Sequence, residues 1–458
     1  MIAGLILEVV ERMKWEEGRV GGKEKHVTLK RVEEFGGKGG WRKFGFYVLV
    51  ERFVVKRMDG SLTKNCEDSL RGNMYVTRPL SRYKKFPSEL SLPHPEGPNS
   101  GILVILDEEA EATCCFGSCK TDKINDLPFP HNKNLTLMYS TSDKTSYFYA
   151  ALIPVFNQPL SSNRYYAIKT QGSHKGEAYT NSKEEDKGTC FCFSYVRDVP
   201  PKPLDPNDAD QQFEIFRKSG GFVVKSLSLD GFPPTFLGRE VWEVYTSTPR
   251  DFHLGDAPGV DNVLRARLPD FNFPLSHKSC QPVVVGKWYS PFMFVREGLL
   301  PLKDQMRRSM YYEITLEQRW ERMFACERDN ESPGNGVAVD AVVQREVVSV
   351  AGREAADVNV VDGVMWFRSF SKKGEEMIAG LSLLVVGRMK WEQERVGWVG
   401  GEEKQVTLKR VEEFGGNGGW RNFGFYVLVE RFVVKRMDGS LLLTYDFNHN
   451  QQSRGKWE

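Results

Sequence analysis

Short apolar or alternating runs, separated by turn-forming residues, make up most of the chain after residue 74. Alternation of apolar and polar residues is typical of half-buried strands, and clusters of Pro, Gly, Asn and Ser between such runs are typical of turns. The 458-residue chain is therefore predicted to be α+β and strand-dominant, with two antiparallel sheet-rich lobes and few short helices. The runs that predict strands include GILVILD, NLTLMYS, SYFYAALIPVF, RYYAIKTQG, VWEVYTS and VVVGKWYSPFMFV.

The segment PLKDQMRRSMYY shows the clearest helical pattern, because Leu302, Met306 and Met310 recur every four residues. The next run, YYEITLEQRWERMFA, alternates and predicts a strand, with a helix as the alternative for its second half. Farther along, LSLLVVGRMKW is predicted to be a strand. In KWYSPFMFV the aromatic residues favour a sheet core over the lining of a pocket.

The chain is predicted to divide into three parts. Residues 1–73 hold an extra partial copy of the C-terminal tail and a junction, and they are not expected to be an independent domain. Residues 74–330 form a β-rich body, and a proline-rich stretch at 196–212 suggests a boundary within it. After a polar, turn-rich linker at 326–336, residues 337–458 are predicted to form an antiparallel meander.

An eighteen-residue stretch, GFYVLVERFVVKRMDGSL, occurs at both 45–62 and 424–441. Over 1–62 and 377–441, 53 of 62 paired positions are identical. The second copy continues into LLTYDF, which predicts a hairpin of Phe425–Arg436 with Leu441–Phe447 around an Asp-Gly turn. In the first copy polar residues replace the returning strand, and a long apolar strand with an unpaired edge is an aggregation hazard.

Three explanations of this unfinished copy remain open. Residues 1–73 could be the tail of a neighbouring duplicated gene, joined by read-through or by an erroneous gene model, with Met74 as the natural start. They could instead be a genuine extension that pairs with the sheet of the body. Finally, the copy could complete the sheet of a second chain, which predicts dimers of 1–458 and monomers of 74–458.

Composition and charge restrict the class of protein. The chain is 40% hydrophobic and 12% aromatic, enough to build packed cores, and 63 basic residues nearly balance 61 acidic ones. This balance argues against a protein that coats nucleic acid. No segment reaches the length of a membrane span, and MIAGLIL makes a poor signal peptide. A cytoplasmic or nucleocytoplasmic protein is predicted.

Several long phrases of the chain are distinctive: MYVTRPLS, EGPNSGILVILDEEAEATCCFG, LPFPHNKNLT, NQPLSSNRYY, GKWYSPFMFVREG and SMYYEITLEQRWERMFACE. Together they resemble a plant-specific family known as domain of unknown function 1262. The similarity extends over essentially all of 74–458, and the closing VLVERFVVKRMDGSLLLTYDF is similar to the family's usual carboxyl end. It implies a plant source and no known activity, cofactor or site residue.

Five cysteines in TCCFGSCK and TCFCF are candidate zinc ligands, because two short cysteine-bearing loops can supply a tetrahedral site. The spacings C-x3-C and C-x-C miss the usual C-x-x-C pattern, and the family tends to have paired cysteines where Phe191 separates two here. Burial of the thiols as small hydrophobic groups is the competing explanation. No other cofactor is predicted. The candidates are Cys114, Cys115, Cys119, Cys190 and Cys192.

A histidine base would be needed for cysteine or serine nucleophile catalysis, and six histidines follow residue 74. No nucleophile-elbow or cysteine-protease pattern surrounds any of them, so solvated loop histidines are the expected outcome. These residues are His94, His131, His174, His253, His277 and His449.

The biochemical activity is therefore unknown from the sequence. The leading hypothesis is a soluble, non-catalytic binding or scaffold protein of plants, whose partner is a protein or a small molecule rather than nucleic acid. The alternative is a hydrolase or transferase with its site in the cysteine-bearing lobe. No catalytic residue is predicted.

Overall fold

The chain packs as two units, Met1–Leu70 and Arg71–Glu458, and the computed structural model describes only the second. The predicted extra copy and its three explanations lie outside the described residues. The described residues are 73–93, 97, 99–111, 113–114, 119–140, 144–190, 193–238, 241–247, 253–328, 335–401, 403–416 and 419–458.

Twenty-six strands occur in the described part of the chain. The first thirteen are β1 (Met74–Pro79), β2 (Ser100–Ile105), β3 (Thr113–Cys114), β4 (Cys119–Lys120), β5 (Lys123–Ile124), β6 (Asn134–Ser140), β7 (Thr145–Pro154), β8 (Arg164–Lys169), β9 (Lys187–Cys190), β10 (Phe193–Val196), β11 (Gln212–Lys218), β12 (Gly221–Ser226) and β13 (Glu243–Ser247). The others are β14 (Gly259–Val260), β15 (Val283–Pro291), β16 (Val295–Glu297), β17 (Tyr311–Glu327), β18 (Gly336–Gln344), β19 (Glu346–Val350), β20 (Arg353–Glu354), β21 (Asp357–Val361), β22 (Val364–Phe370), β23 (Glu376–Ser382), β24 (Gln405–Glu413), β25 (Asn422–Arg436) and β26 (Leu441–Trp457).

Helices are few and mostly short in the described residues. The α-helices are α1 (Leu80–Lys85), α2 (Asn262–Arg267), α3 (Leu302–Arg308) and α4 (Leu383–Glu394). Single 3-10 turns occur at Pro87–Ser91, Glu108–Ala110, Leu160–Ser162, Glu184–Asp186, Ala209–Gln211 and Phe292–Phe294.

Antiparallel pairing dominates the sheets, and the predicted strand-dominant class is confirmed at 49% strand and 15% helix. The largest sheet has nine strands in the order β2-β1-β15-β17-β25-β26-β19-β20, with β14 paired to β15. A seven-stranded sheet has the order β12-β11-β8-β7-β6-β13-β5, and a four-stranded sheet the order β16-β23-β22-β21. Among the described pairs only β1–β2 is parallel. The nine-stranded sheet takes strands from both 74–330 and 337–458, and the domain boundaries stay predictions.

The C-terminal hairpin predicted from the sequence is confirmed. β25 pairs with β26, and Val434 lies opposite Leu443 while Glu430 lies opposite Phe447. Gly439 has a φ of 82° in the turn, a conformation that favours glycine because a Cβ would strain it. The run YYEITLEQRWERMFA lies entirely within strand β17, so the helix considered for its second half does not form.

Two further predictions concern the helix near residue 302 and the strand over LSLLVVGRMKW. The predicted helix near 302 is confirmed as α3, which ends at Arg308, before Met310. The strand predicted over LSLLVVGRMKW is wrong, because β23 ends at Ser382 and α4 follows. The Ser382 hydroxyl accepts a hydrogen bond from the Leu384 N–H at 3.3 Å, which caps the helix.

Apolar side chains form two large buried clusters. The central cluster packs the nine-stranded and four-stranded sheets against α4, and the second cluster lies on the seven-stranded sheet. The prediction that KWYSPFMFV belongs to a core is confirmed, since Trp288, Phe292 and Phe294 are buried in the central cluster. Members of the second cluster include Phe129, Leu135, Leu152, Phe213 and Trp242.

Candidate functional site

A cavity of about 750 Å³ lies where β6 and β7 approach α3. We call it the basic cleft, after the four basic residues in its lining: Lys133, Lys175, Arg307 and Arg308. Its volume is in the range of small-molecule sites in proteins.

Each basic residue of the cleft lies at an end of a secondary-structure element. Lys133 comes directly before β6, and Arg307 and Arg308 form the last turn of α3. Lys175 lies in the turn after β8, where the Gly176 N–H donates to the Lys169 carbonyl at 2.8 Å. Strand ends and turns thus direct long basic side chains toward one cavity.

Apolar residues of both buried clusters form the floor of the basic cleft. Leu135 and Leu152 come from the second cluster, and Met306 and Met310 come from the central cluster. Hydroxyl groups of Thr136, Tyr149, Thr170 and Ser247 are also in the lining. Such a mixture of apolar walls and a few polar groups is typical of ligand pockets.

The lining of the basic cleft is strongly biased toward positive charge. No Asp or Glu is found among the described residues that line it. Within the described residues, Lys133 and Lys175 form no ion pair. The Arg308 guanidinium is 3.4 Å from Glu297, a carboxylate that Arg436 already contacts at 2.8 and 2.9 Å. Arg308 is therefore partly neutralised by the protein, whereas Lys133 and Lys175 have no ion-pair partner among the described residues.

Two of the cations that line the cleft, Lys175 and Arg307, repel one another. The pKa of Lys175 is lowered by partial burial and then by the positive charge of Arg307, against the opposing effect of Asp304. Asp304 is 3.9 Å from Arg307, which is long for a strong ion pair. A bound anion would relieve the repulsion between Lys175 and Arg307, because it would attract both.

A neutral histidine, His131, contributes to the wall of the basic cleft. Burial lowers the pKa of His131 to about 4, so the ring is uncharged at neutral pH. Its Nδ1 accepts a hydrogen bond from the Val104 N–H at 2.8 Å, and the ring proton is therefore on Nε2. The charge of the cleft comes from the four Lys and Arg residues.

The expectation of solvated histidines is correct at some positions and wrong at others. His174, His253 and His277 are exposed, whereas His131 and His449 are buried. His131 lies just before β6 and contacts Val104 of β2, and His449 is on β26. At both positions packed side chains exclude water. His94 lies outside the described residues.

The candidate zinc ligands are only partly covered by the structure. Cys114 and Cys119 lie opposite one another across the β3–β4 pair, and Cys190 lies opposite Phe193 across β9–β10. These hairpins belong to different two-stranded sheets. Cys115 and Cys192 lie outside the described residues, so the zinc site stays a prediction.

A second polar group of residues, the buried ion cluster, lies beneath α4. It consists of Arg265, Arg388, Glu392, Glu430 and His449, each at most 4% exposed. Arg265 contacts Glu430 with two nitrogens, one at 2.9 Å, and Glu392 at 3.3 Å. Arg388 contacts Glu392 at 2.6 Å. Arg395 is also 3.2 Å from Glu392, so the two buried glutamates pair with three arginines.

Protonation in the buried ion cluster follows from this arrangement. Burial alone would raise the pKa of Glu430, but the hydrogen bonds and charge of Arg265 outweigh it and lower that pKa. Burial lowers the pKa of His449 to about 4, so its ring is neutral. Its Nε2 is 2.8 Å from the Gln393 Oε1, an acceptor, so Nε2 donates. The cluster links α4 to α2 and to strands β25 and β26.

The two buried histidines predict a loss of stability in mild acid. An unfolded histidine has a pKa of about 6.5, whereas His131 and His449 have values of about 4. Between these values the unfolded chain binds more protons, so the free energy of unfolding falls as pH decreases. Each histidine is expected to contribute a loss of about 2 kcal/mol between pH 7.5 and 5.

Urea unfolding at pH 7.5, 6 and 5 measures this effect. The variants His131→Gln and His449→Gln should each show a shallower decline than the wild type, whatever their stability at pH 7.5. The exposed residue His277 provides a matched control, His277→Gln, whose pH dependence should equal that of the wild type. Equal declines in all four proteins would show that the buried rings do not cause the acid sensitivity.

One comparison found a family model that matches a segment of the chain. Residues 96–193 match the family model described as Protein of unknown function (DUF1262). We call residues 96–193 the DUF1262 segment, after this match. The resemblance predicted from the sequence is thereby confirmed over these residues. The DUF1262 segment includes His131, Lys133 and Lys175 of the basic cleft, while Arg307 and Arg308 lie after it.

The other comparisons add no activity to the DUF1262 segment. No curated protein matches the chain. One matching solved structure, titled "Crystal structure of Cry35Ab1", is 10% identical, covers 72% of this chain and 90% of its own, and has a TM-score of 0.38. At that TM-score the likeness supports no argument about fold or function. None of the helices in the described residues is long and apolar enough to cross a membrane.

Sequence reasoning missed the basic cleft. Its cations lie in three phrases, LPFPHNKNLT, GSHKGE and KDQMRRSM, none of which has a recognisable ligand-binding pattern. The only local signal is that each basic residue lies beside a predicted strand or helix end, a place where loops often carry function. Many surface Lys and Arg residues share that signal, so it cannot identify these four as members of a binding site.

Proposed function

We propose that the protein binds a small molecule bearing a phosphate, sulfate or carboxylate group, and that the anion occupies the basic cleft. The observation that supports this most is the set of four Lys and Arg residues in the lining, with no carboxylate among the described lining residues. Charge-assisted hydrogen bonds from Lys and Arg to anionic oxygens are among the stronger polar contacts in proteins. The hydroxyl groups of the lining can complete the coordination of the anion.

Two lobes are also part of this proposal, one around each large buried cluster, with the basic cleft along their boundary. Its support is that the cleft floor combines residues of the central and second clusters. The protein is then a binding protein of the plant cytoplasm or nucleus, as the sequence predicts. The alternative activity, a hydrolase or transferase, depends on cysteines that are only partly described and stays a prediction.

Isothermal titration with pyrophosphate tests this function. Wild-type protein is expected to bind pyrophosphate saturably, and binding should weaken as the salt concentration rises, because salt screens exposed charges. The substitutions Lys175→Met and Arg307→Gln should each weaken binding about tenfold, since a hydrogen bond to a charged group contributes about 1.5–3 kcal/mol.

Matched substitutions at a distance control for a general loss of positive charge. Lys409→Met on β24 and Arg368→Gln on β22 remove exposed cations outside the cleft lining. Both should bind pyrophosphate as the wild type does. If all four variants bind equally, or if the wild type shows no saturable binding, the proposed function is wrong.

A further inference from the structure

A second cavity, of about 680 Å³, adjoins the basic cleft. Lys133 and Ser247 line both cavities, so the two spaces meet at these side chains. We call the second cavity the apolar annex, after the apolar residues in its lining: Leu80, Tyr83, Leu90, Leu106, Ile124 and Leu127.

Both large buried clusters extend to the wall of the apolar annex. Leu80 and Tyr83 are members of the central cluster, and Leu90 and Leu106 pack against it. On the other side, Ile124 and Leu127 pack against the second cluster. Leu90, Leu106, Ile124 and Leu127 are only partly buried, which leaves apolar surface for a ligand to cover.

Charged residues also line the apolar annex, and three of them, Lys84, Lys123 and Asp126, have partners in the protein. Lys84 donates to the Ala110 carbonyl at 2.6 Å. Lys123 pairs with Glu243, and Asp126 pairs with Arg217. This differs from the basic cleft, where Lys133 and Lys175 form no ion pair with another described residue. The lining of the annex also contains Glu111, Asp122 and Asp126, so an anionic ligand group is favoured in the cleft and not in the annex.

We infer that the ligand is an amphipathic anion, with its anionic group in the basic cleft and its apolar part in the apolar annex. This inference depends on the proposed function for the position of the anionic group. It adds the chemical class of the rest of the ligand, an alkyl chain or an apolar ring. The apolar part supplies affinity through burial of its surface, and the anionic group fixes its orientation.

A pair of alkyl phosphates separates the two contributions. Methyl phosphate carries the anionic group alone, and hexyl phosphate adds five methylene groups. Each pair of fully buried methylenes is worth roughly a tenfold gain in affinity. Hexyl phosphate is therefore expected to bind at least about 30-fold more tightly than methyl phosphate when its chain is buried in part.

Polar substitutions in the annex locate the apolar part. The double variant Leu90→Gln with Leu106→Asn should lose most of the gain from the hexyl chain and keep the affinity for methyl phosphate. Retained methyl phosphate binding shows that this variant is folded. A matched substitution at the fully exposed Leu229, Leu229→Gln, should leave both affinities unchanged.

The possible outcomes are distinct. Equal binding of the two phosphates overturns the amphipathic ligand and leaves the anion site intact. Binding of neither phosphate contradicts the proposed function as well. A hexyl gain that survives in the double variant places the chain elsewhere and overturns the inference. The last experiment is co-sedimentation with phosphatidylcholine vesicles that contain phosphatidic acid. Binding to these vesicles without binding to hexyl phosphate also overturns the inference.

Discussion

Glu392→Gln is expected to lower the free energy of unfolding by about 3–5 kcal/mol, because it removes the charge that compensates buried arginines. The Glu392 carboxylate is 2.6 Å from Arg388 and 3.3 Å from Arg265, and Arg388 and Glu392 are fully buried. Removing one carboxylate from a buried ion network costs far more than removing an exposed charge does. Ser100 and the faces of Trp288 and Trp391 also contact Arg388.

Urea or guanidinium unfolding at pH 7.5 measures this loss. The matched control is Glu109→Gln, which removes the same charge from an exposed ion pair with Lys85. Exposed pairs contribute little to stability, so the control should unfold like the wild type. A loss below about 1 kcal/mol for Glu392→Gln would contradict the importance assigned to the buried ion cluster.

Phe447→Ala is expected to be similarly severe, with a loss of about 3–5 kcal/mol. Phe447 lies on β26, the strand that the second copy of the repeat adds, and its side chain is fully buried. Its ring centroid lies 4.7 Å from that of Tyr445, 5.1 Å from Trp398 and 5.9 Å from Phe432. Removal of the ring leaves a cavity lined by side chains of two strands and the segment after α4.

Thermal and urea unfolding of Phe447→Ala should be compared with Phe370→Ala. Phe370, at the end of β22, is 48% exposed, and its truncation should cost less than about 1 kcal/mol. The two variants make the same chemical change, so their difference in unfolding free energy compares a packed ring with a partly solvated one. Equal losses in the two variants would show that β26 does not complete the central cluster as the structure indicates.

The closing hairpin is a feature that the sequence determined. The strand-forming residues of β25 and β26 are joined by Met437–Ser440, where Asp438 Oδ1 accepts from the Ser440 N–H at 2.8 Å. Both the strand pattern and the turn are local, since side chains alternate with a period of two and Asp-Gly favours a tight turn. The predominance of strands and the burial of Trp288 follow from the same kind of local pattern.

Helix α4 shows where local pattern misleads. Its run of Leu and Val is typical of a strand, and its buried face mixes Val385 and Met389 with Arg388 and Glu392. A helix that buries charged residues has no clear apolar stripe, so periodicity cannot identify it. Arg388 and Glu392 pair within the helix, and Glu392 also pairs with Arg265, which is more than a hundred residues earlier in the sequence.

The basic cleft was likewise decided by the tertiary structure alone. Lys133, Lys175 and Arg307 belong to separate phrases, and each by itself resembles an ordinary surface cation. They converge because β6, the turn after β8 and the end of α3 meet between the two large buried clusters. Local sequence sets which residues form strands and turns, through side-chain periodicity and backbone preference. Which charges face one another depends on long-range packing, and no local pattern records it.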